Sequence, residues 1–245
     1  MNPIIELKNV GMSFGEHVVH KDINLTFSKG EVVTLLGPSG TGKTVVLKLI
    51  IALLFPTKGT VNVLGRDTKN ENEDQLRELR RHIGMLFQGA ALFDSLNVYD
   101  NIAFPLREIK TPESEIKKIV YEKLEIVNLE ETKDKFPPQL SGGQKKRIGL
   151  ARALATSPDI MLFDEPTTGL DPTARKTIDS LIMRLKEQFK ITSIVITHDI
   201  ESAYSISDRL VMLSDGFVVA DGSAKELWNN DENIIKFAKG NWYEE

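Results

Sequence analysis

The chain has 245 residues, of which 41% are hydrophobic and 27% are charged, a balance that is typical of globular proteins and excludes a largely disordered chain. Its 31 basic and 35 acidic side chains give a formal net charge of -4, so no overall positive charge is available to attract nucleic acid as a main partner. The absence of cysteine excludes disulfides, thiolate metal sites and iron–sulfur clusters, and it is consistent with a reducing compartment.

No segment has the pattern of a secretion signal or of a membrane span. The first ten residues lack a basic start, and Glu6 interrupts their apolar residues. The most apolar stretch, residues 45–55, has 11 residues, which is well below the roughly 20 that cross a bilayer. We therefore expect any membrane role to depend on a partner.

The first part of the chain predicts β-structure. Four runs rich in β-forming residues alternate with glycine-containing turns, at residues 4–10, 18–27, 32–36 and 60–64. We interpret these runs as hairpins at one edge of a sheet.

Between residues 73 and 131 the pattern changes to helical. After Pro112, apolar residues recur at the spacing of one helix face, at Ile116, Ile119, Val120, Leu124 and Val127. This spacing predicts a helical insert that ends near Pro137 and Pro138.

Two short apolar runs follow, at residues 160–163 and 191–196, and an amphipathic helical pattern lies between them. An apolar strand, a helix and a second apolar strand indicate a βαβ unit in a parallel sheet that is covered on both faces.

Residues 37–44, with the sequence Gly-Pro-Ser-Gly-Thr-Gly-Lys-Thr, match a phosphate-binding loop between a predicted strand at 31–36 and a predicted helix at 44–54. Glycines let backbone N–H groups converge on phosphate oxygens, and the helix N-terminus adds a favourable dipole. Lys43 can reach the β- and γ-phosphates, and Thr44 can bind Mg²⁺. The candidate phosphate ligands are Gly37, Pro38, Ser39, Gly40, Thr41, Gly42, Lys43 and Thr44.

The apolar run at 160–163 leads into two carboxylates, Asp164 and Glu165. Open α/β folds bind their ligands at this end of the strands. Asp164 could hold Mg²⁺ through water, and Glu165 could accept a proton from the water that attacks the γ-phosphate. Alone, the pair could be a solvated acidic strand end, but the phosphate-binding loop favours the catalytic interpretation.

Ser141, Gly142, Gly143 and Gln144 precede a helical run. Ser with Gln three residues later is an ordinary capping box. Each glycine in a helix costs up to about 1 kcal/mol relative to alanine, so capping does not account for both of them. We infer a second anion at this helix N-terminus, bound by Ser141 and the Gly143 N–H.

These motifs, in this order, resemble the nucleotide-binding subunits of ABC transporters from about residue 4 to residue 222. The resemblance implies ATP and Mg²⁺ as cofactors and a homodimer in which residues 141–144 face the ATP of the other copy. It also implies that Phe14 stacks on adenine, although Tyr is commoner there, and that Gln88 helps to bind Mg²⁺ and links the γ-phosphate to a membrane partner. Asp171 corresponds to an aspartate at the dimer interface, and His198 to a catalytic γ-phosphate-sensing histidine.

The same resemblance implies the α/β fold of P-loop NTPases, with a mixed, mainly parallel core sheet, an antiparallel β subdomain and a helical insert. We expect a single domain over residues 1–245. Its RecA-like and antiparallel β parts lie at about 1–88 and 156–228, its helical subdomain at about 89–155 and its C-terminal tail at 229–245.

Residues 86–96 and 98–108 are similar to the ATPases of MCE-associated lipid transporters, the Mla or toluene-tolerance type. The resemblance implies a membrane permease dimer similar to MlaE, a periplasmic MCE-domain protein that carries phospholipid or a related lipid, and a peripheral location at the cytoplasmic face of the inner membrane. The alternatives are an importer of small polar solutes or amino acids, and a division-type ABC protein that transmits force. An ATPase that acts on DNA or ribosomes is disfavoured. Such proteins usually carry long coiled coils, zinc modules or a second cassette, and Leu140 lies only 52 positions after Gln88, which leaves no room for them here.

Two further segments have aromatic or basic residues without an assigned site. Lys145, Lys146 and Arg147 could form a nucleic-acid patch, but three basic residues on one helical turn are more typical of a solvated face. The C-terminal aromatic residues are expected to dock the tail on its own domain or on a neighbour, and they are Trp228, Phe237, Trp242 and Tyr243.

Overall fold

The computed structural model describes residues 3–239. Its strands are β1 (Ile5–Phe14), β2 (His17–Phe27), β3 (Val32–Leu36), β4 (Lys58–Val63), β5 (Arg66–Asp67), β6 (Ile83–Leu86), β7 (Ile160–Asp164), β8 (Thr192–Ile196), β9 (Arg209–Ser214) and β10 (Phe217–Ser223). Its α-helices are α1 (Lys43–Ile50), α2 (Glu73–Arg81), α3 (Val98–Glu108), α4 (Glu113–Ile126), α5 (Gly142–Ala153), α6 (Pro172–Phe189), α7 (Ile200–Ile206), α8 (Ala224–Asn230) and α9 (Glu232–Ala238). Within residues 3–239, none of these helices combines the length and the apolar character needed to cross a bilayer.

The strands form one mixed sheet in the order β5-β4-β1-β2-β10-β9-β3-β8-β7-β6. The half from β9 to β6 is parallel, whereas β1 pairs antiparallel with β2 and β4. The predicted fold class is confirmed, and so is the βαβ unit, because β7 and β8 are adjacent parallel strands joined through α6.

The prediction that residues 32–36 form part of a hairpin was wrong. Strand β3 lies between β8 and β9 and is parallel to both. All five of its residues are buried. A continuous apolar run of this kind is typical of a parallel strand covered on both faces, and it differs from the alternating pattern of a half-exposed hairpin.

The stretch between residues 73 and 131 is not wholly helical. Helix α2 ends at Arg81, and β6 then pairs in parallel with β7. A Cβ on Gly84 of β6 would lie 2.3 Å from the sulfur of Met161 and 2.6 Å from the Ala153 carbonyl oxygen, so this close approach requires glycine. A four-residue strand is too short to show a periodicity of its own, and its pairing with β7 defines it.

The helix after the phosphate-binding loop is also shorter than the predicted 44–54, since α1 ends at Ile50. Ala52 has a φ of 53°, which a continuing helix does not allow. Arg80 donates hydrogen bonds to the carbonyls of Ile51 and Ala52 and so satisfies backbone acceptors at this helix end.

The parallel strands are buried on both faces, as β7 illustrates. Ile160 and Leu162 belong to a core that includes residues of α1, α2 and the antiparallel strands. Met161 and Phe163 belong to a second core with residues of α3, α4, α5 and α6. Since side chains alternate along a strand, one five-residue segment joins both cores.

The C-terminal aromatic residues divide into two groups. Trp228 and Phe237 are partly buried against a small cluster that includes Leu36 and Ile234 of the same chain, which agrees with the expected docking on the chain's own domain. The Trp228 ring lies 4.8 Å from the Tyr204 ring, measured between centroids. Trp242 and Tyr243 lie outside the described residues, so their expected docking stays a prediction.

Candidate functional site

Four parallel strands bring the candidate residues to one edge of the sheet. Strand β3 leads into residues 37–42, β6 is followed by Phe87 and Gln88, β7 ends at Asp164, and β8 is soon followed by His198. Because carboxyl ends of neighbouring parallel strands meet at the same edge, these side chains share one region of the surface.

The phosphate-binding loop has a backbone that requires glycine. Gly37, Gly40 and Gly42 have φ values of 140°, 86° and 87°. A Cβ on Gly37 would lie 2.2 Å from the Leu213 carbonyl oxygen. The Lys43 Nζ donates hydrogen bonds to the carbonyls of Gly37 and Pro38, at 2.7 and 2.8 Å. Burial lowers the pKa of Lys43, whereas the charges of Glu165 and Asp164 raise it.

Replacing Gly37 by alanine is therefore expected to lower the free energy of unfolding by about 1–3 kcal/mol, because the new methyl group overpacks the loop against Leu213. ATP affinity should fall as the loop shifts. Gly15→Ala is the matched control, since Gly15 also has a positive φ but has nothing within 4 Å of the added Cβ. Urea unfolding and a fluorescent ATP-binding assay would measure both effects. Equal losses in the two variants would contradict the steric explanation.

Asp164 and Thr44 face each other at the start of α1. The Thr44 Oγ1 lies 3.4 Å from Asp164 Oδ1 and 3.5 Å from Oδ2. Burial is the main cause that raises the pKa of Asp164, and the hydrogen bond from Thr44 opposes it. Hydroxyl and carboxylate oxygens are donors of the kind that Mg²⁺ prefers, so the two residues fit this metal.

Glu165 has an unusual backbone and several polar contacts. Its φ is 50°, in the left-handed region that non-glycine residues rarely adopt. Its N–H donates to the Ile196 carbonyl at 2.9 Å. Its Oε2 accepts a hydrogen bond from Thr168 Oγ1 at 2.9 Å and lies 2.8 Å from His198 Nδ1. The predicted catalytic pair Glu165 and His198 is thus in direct contact.

A cavity of about 250 Å³ joins these groups. It is lined by Gly37, Pro38, Ser39, Lys43, Glu165, His198 and Phe237. Phe237 comes from α9, and sequence reasoning assigned it only to tail docking. The order of motifs does not predict Phe237 in this cavity, because its position there depends on how the C-terminal helices fold back onto the sheet edge.

A second cavity, of about 500 Å³, adjoins the other side of the loop. Its lining residues are His17, Val18, Val19, Lys21, Pro38, Ser39, Gly40, Thr41, Ser214, Asp215 and Gly216. The candidate adenine-stacking residue Phe14 is 47% exposed and pairs with His17 across the β1–β2 hairpin, next to this cavity but not in its lining. The hairpin residues His17 and Val18 were not singled out in the sequence.

Gln88 follows β6 at the same edge and is exposed. Within residues 3–239 its side chain makes no hydrogen bond to the other candidate residues. The structure thus places Gln88 close in the fold to Asp164, through the pairing of β6 with β7, without a direct contact.

Residues 141–144 form the predicted capping box at the start of α5. Ser141 Oγ accepts from the Gln144 N–H at 3.2 Å, and the Ser141 N–H donates to Gln144 Oε1 at 2.9 Å. The prediction that both glycines require an outside ligand is wrong for Gly143. A Cβ on Gly143 would lie 3.2 Å from the Ala174 Cβ, which gives a reason within the chain, whereas Gly142 meets only an ordinary contact at 3.7 Å.

Asp171 lies with this group and not with the phosphate-binding loop. Its Oδ1 accepts hydrogen bonds from the N–H groups of Thr173 and Ala174, and it caps α6. Residues 141–144, Asp171 and Arg147 line a cavity of about 190 Å³. That cavity shares no lining residue with the one around Lys43 and Glu165. The candidate residues of one chain therefore form two separate groups.

The interpretation of residues 145–147 as a solvated face was wrong for Lys146, whereas Lys145 and Arg147 are half-buried. Lys146 is only 5% exposed, and its Nζ donates to the Glu165 carbonyl at 3.1 Å. Arg147 donates to the carbonyls of Val127 and Asn128. Charge alone suggested exposure, but the packing of α5 against neighbouring segments buries the Lys146 stem.

A preformed groove of about 620 Å³ lies beside β6, between α2 and α3. Three of its lining residues are exposed phenylalanines, Phe87, Phe93 and Phe104, and the Phe93 and Phe104 rings lie 4.8 Å apart. Asn101 fixes Phe93 by hydrogen bonds to its N–H and carbonyl. Arg152 donates hydrogen bonds to the carbonyls of Ala90 and Ala91, in the loop before Phe93. We call this surface the phenylalanine groove, and its lining residues are Arg77, Arg80, Arg81, Ile83, Gly84, Met85, Phe87, Ala91, Phe93, Phe104, Pro105, Glu108, Ile109, Arg152, Ala153 and Thr156.

Comparison with known proteins agrees with this geometry. The family model described as ABC transporter matches residues 20–168. The chain is 42% identical to the intermembrane phospholipid transport system ATP-binding protein MlaF of Haemophilus influenzae over 97% of this chain and 90% of that protein. It is 44% identical to the probable ribonucleotide transport ATP-binding protein mkl of Mycobacterium leprae over 96% of this chain and 68% of that protein. Among solved structures, the dimeric post-hydrolysis ATP-binding cassette MJ0796 bound to ADP and Pi matches with a TM-score of 0.82 and 36% identity, over 90% of this chain and 98% of that chain.

Proposed function

The chain belongs to the ABC transporter family as an ATP-binding, ATP-hydrolysing subunit, and from this premise we propose that its transporter moves phospholipid or a related lipid in the cell envelope. The observation that carries the proposal is the 42% identity, over 97% of the chain, to the ATP-binding protein of a phospholipid transport system. The similarity of residues 86–108 to MCE-associated ATPases, inferred from the sequence, supports the same substrate.

ATP lies, in this proposal, along residues 37–44, with its phosphates against the loop N–H groups and Lys43. The base extends towards the cavity beside His17, with Phe14 at its rim. Mg²⁺, held by Thr44, Asp164 and Gln88, would neutralise charge on the phosphate oxygens. Lys43 is already held at the loop by two carbonyls, so little reorganisation is needed when phosphate replaces them.

Glu165 is the proposed general base for hydrolysis. Its carboxylate lines the same cavity as Lys43 and His198, where the γ-phosphate and the attacking water would meet. His198 contacts the carboxylate and would sense the γ-phosphate from the exposed side, since its side chain is 67% exposed. Glu165 takes the proton of the water as oxygen attacks phosphorus and the bond to the leaving ADP oxygen breaks.

The active unit we propose is a pair of identical chains. Each chain has two separated groups of site residues, one around Lys43 and Glu165 and one around Ser141 and Asp171. Closing two chains head to tail would place Ser141, Gly142, Gly143 and Gln144 of one chain on the ATP held by the other. The dimeric assembly of the matched cassette supports this arrangement.

The phenylalanine groove is the proposed docking surface for a membrane permease dimer similar to MlaE. Its three exposed phenylalanines offer apolar area to a partner segment. An MCE-domain protein in the periplasm would complete the complex, with the ATPase at the cytoplasmic face of the inner membrane. In the proposed division of the chain, residues 1–88 and 156–228 bind nucleotide and residues 89–155 transmit closure to the permease.

Transport of a small polar solute is the second candidate, because the Mycobacterium leprae relative is 44% identical and carries a ribonucleotide-transport name. The two identities alone do not separate the candidates, but the chain covers 90% of the phospholipid-transport protein and 68% of the ribonucleotide-transport protein, which favours the lipid assignment. The partner separates them, since a lipid carrier and a solute-binding protein have different chemistry.

Purification of the tagged chain from its native membrane tests the proposal. We expect a permease, an MCE-domain protein and bound phospholipid, identified by mass spectrometry of the proteins and of an organic extract. The matched control carries Phe87→Asp and Phe104→Asp in the groove and should lose the permease while retaining ATP binding. Recovery of a permease with a solute-binding protein and no lipid would overturn the lipid assignment.

A further inference from the structure

We propose that Lys146 is a positioning residue for Glu165, which ties the start of α5 to the catalytic carboxylate of the same chain and thereby couples the two ATP sites of the pair. The inference rests on the proposed function of Glu165 as general base. Lys146 lies on the helix whose first turn holds Ser141 and the two glycines.

The contact is a buried one. Lys146 is 5% exposed, and its Nζ donates to the Glu165 carbonyl oxygen at 3.1 Å, the sole hydrogen-bond acceptor of this ammonium within residues 3–239. Burial lowers the pKa of Lys146, and the charges of Glu165 and Asp164 raise it. Burial removes the strong hydration of an ammonium and therefore costs free energy, which an apolar side chain at this position would not lose. The hydrogen bond to Glu165 is what a lysine provides here and an apolar side chain does not.

The acceptor belongs to a strained residue. The φ of 50° at Glu165 is a conformation that persists only where the surrounding structure holds it. Three hydrogen bonds hold its backbone: its N–H donates to the Ile196 carbonyl at 2.9 Å, and its carbonyl accepts from Lys146 Nζ at 3.1 Å and, at a longer 3.4 Å, from the Thr168 N–H. The carboxylate is held by Thr168 Oγ1 at 2.9 Å and by His198 Nδ1 at 2.8 Å. Removing Lys146 leaves the Glu165 carbonyl, among the described residues, with the longer bond from Thr168 alone, and this lets the carboxylate move.

The hydrogen bond from Lys146 is also a link between sites. Helix α5 is a continuous segment from Gly142 to Ala153, with no proline or break, so its first turn and Lys146 move together. In the proposed pair the first turn faces the ATP of the other chain, whereas Lys146 holds Glu165 beside the ATP of its own chain. Nucleotide at one site thus influences the position of the base at the other.

The test compares Lys146→Met with Lys145→Met, in the full chain assembled with its membrane partners. Methionine keeps the length and the apolar stem but removes the donor. We expect kcat for ATP hydrolysis to fall by about tenfold to a hundredfold in Lys146→Met, since small misplacements of reacting groups have effects of this size. The KM for ATP should stay within about twofold, the Hill coefficient should fall towards 1, and Lys146→Arg should recover part of the rate.

A double-mutant cycle with Glu165→Gln separates positioning from a purely structural role. If Lys146 acts through Glu165, adding Lys146→Met to Glu165→Gln causes no further loss of the residual rate. A wild-type kcat and Hill coefficient in Lys146→Met, or a further loss of rate in the Glu165→Gln background, would overturn the proposal. Should Lys146→Met not fold, Lys146→Leu, which also lacks a donor, takes its place with the same expectations. Wild-type turnover by Glu165→Gln itself would overturn the base assignment instead, so the two failures are distinguishable.

Discussion

Replacing Glu165 by glutamine is expected to lower the rate of ATP hydrolysis by a factor of about 10²–10⁴, the usual contribution of general acid–base catalysis. Glutamine has nearly the same shape as glutamate but cannot accept the proton of the attacking water. The phosphate-binding loop and Lys43 are unchanged, because Lys43 bonds to the loop carbonyls and not to Glu165. ATP should therefore still bind, and the variant should accumulate as a closed, ATP-bound dimer.

The measurement combines phosphate release with light scattering in the presence of ATP and Mg²⁺. Glu187→Gln on the exposed part of α6 is the control for the loss of one negative charge, and it should hydrolyse ATP at the wild-type rate. A shift from monomer to dimer on addition of ATP in Glu165→Gln would support both the base assignment and the pairing. Wild-type turnover in that variant would remove Glu165 from the catalytic role.

The parts of the site that the sequence predicts are those where local chemistry restricts the residue. Gly37 and Gly42 have positive φ values, and a side chain at either would meet an atom within 2.5 Å, so the loop has a readable pattern. Asp164 ends β7, whose other four residues are buried, and the burial of these four on both faces makes them an unbroken apolar run. In both cases a few consecutive residues contain the whole signal.

The parts that the sequence does not predict depend on distant contacts. Strand β6 is recognised by its pairing with β7, about 75 residues away in the chain. Lys146 is buried because α5 packs behind the turn at Glu165, while its charge suggests a solvated residue. Phe237 reaches the site through the fold of the C-terminal helices. None of these placements follows from spacing along the chain.

The structure also changes the argument for pairing. Gly143 lies close to Ala174 of its own chain, so only Gly142 still lacks an internal explanation. Pairing is better supported by the separation of the two groups of site residues, since they line different cavities of one chain. A separation of this kind predicts that defects in the two groups complement each other between chains.

Coexpression of a Ser141→Arg chain with a Lys43→Ala chain is accordingly expected to restore hydrolysis that either variant lacks as a homodimer. Each single change should lower the rate of ATP hydrolysis by a factor of about 10²–10³. Lys43→Ala removes a contact that stabilises charge on the phosphates, and Ser141→Arg blocks the place where the ATP of the other chain would lie. With different tags on the two chains, tandem purification isolates the mixed pair. In that pair one composite site combines the intact Lys43 of one chain with the intact Ser141 of the other, so up to about half of the wild-type rate should return.

The reciprocal pairing makes the test decisive. In the reciprocal pair, one chain carries both Ser141→Arg and Lys43→Ala, and the other chain is wild type. Both mixed pairs contain one altered and one intact copy of Ser141 and of Lys43, but in the reciprocal pair every composite site contains one defect. If the two groups act across the interface, this pair should be inactive while the first pair is active. If each chain used its own Ser141 and Lys43, the order would reverse, because the wild-type chain would keep one complete site. The two mixed pairs thus differ only in which chain supplies each residue, and the ranking of their rates distinguishes shared sites from separate ones.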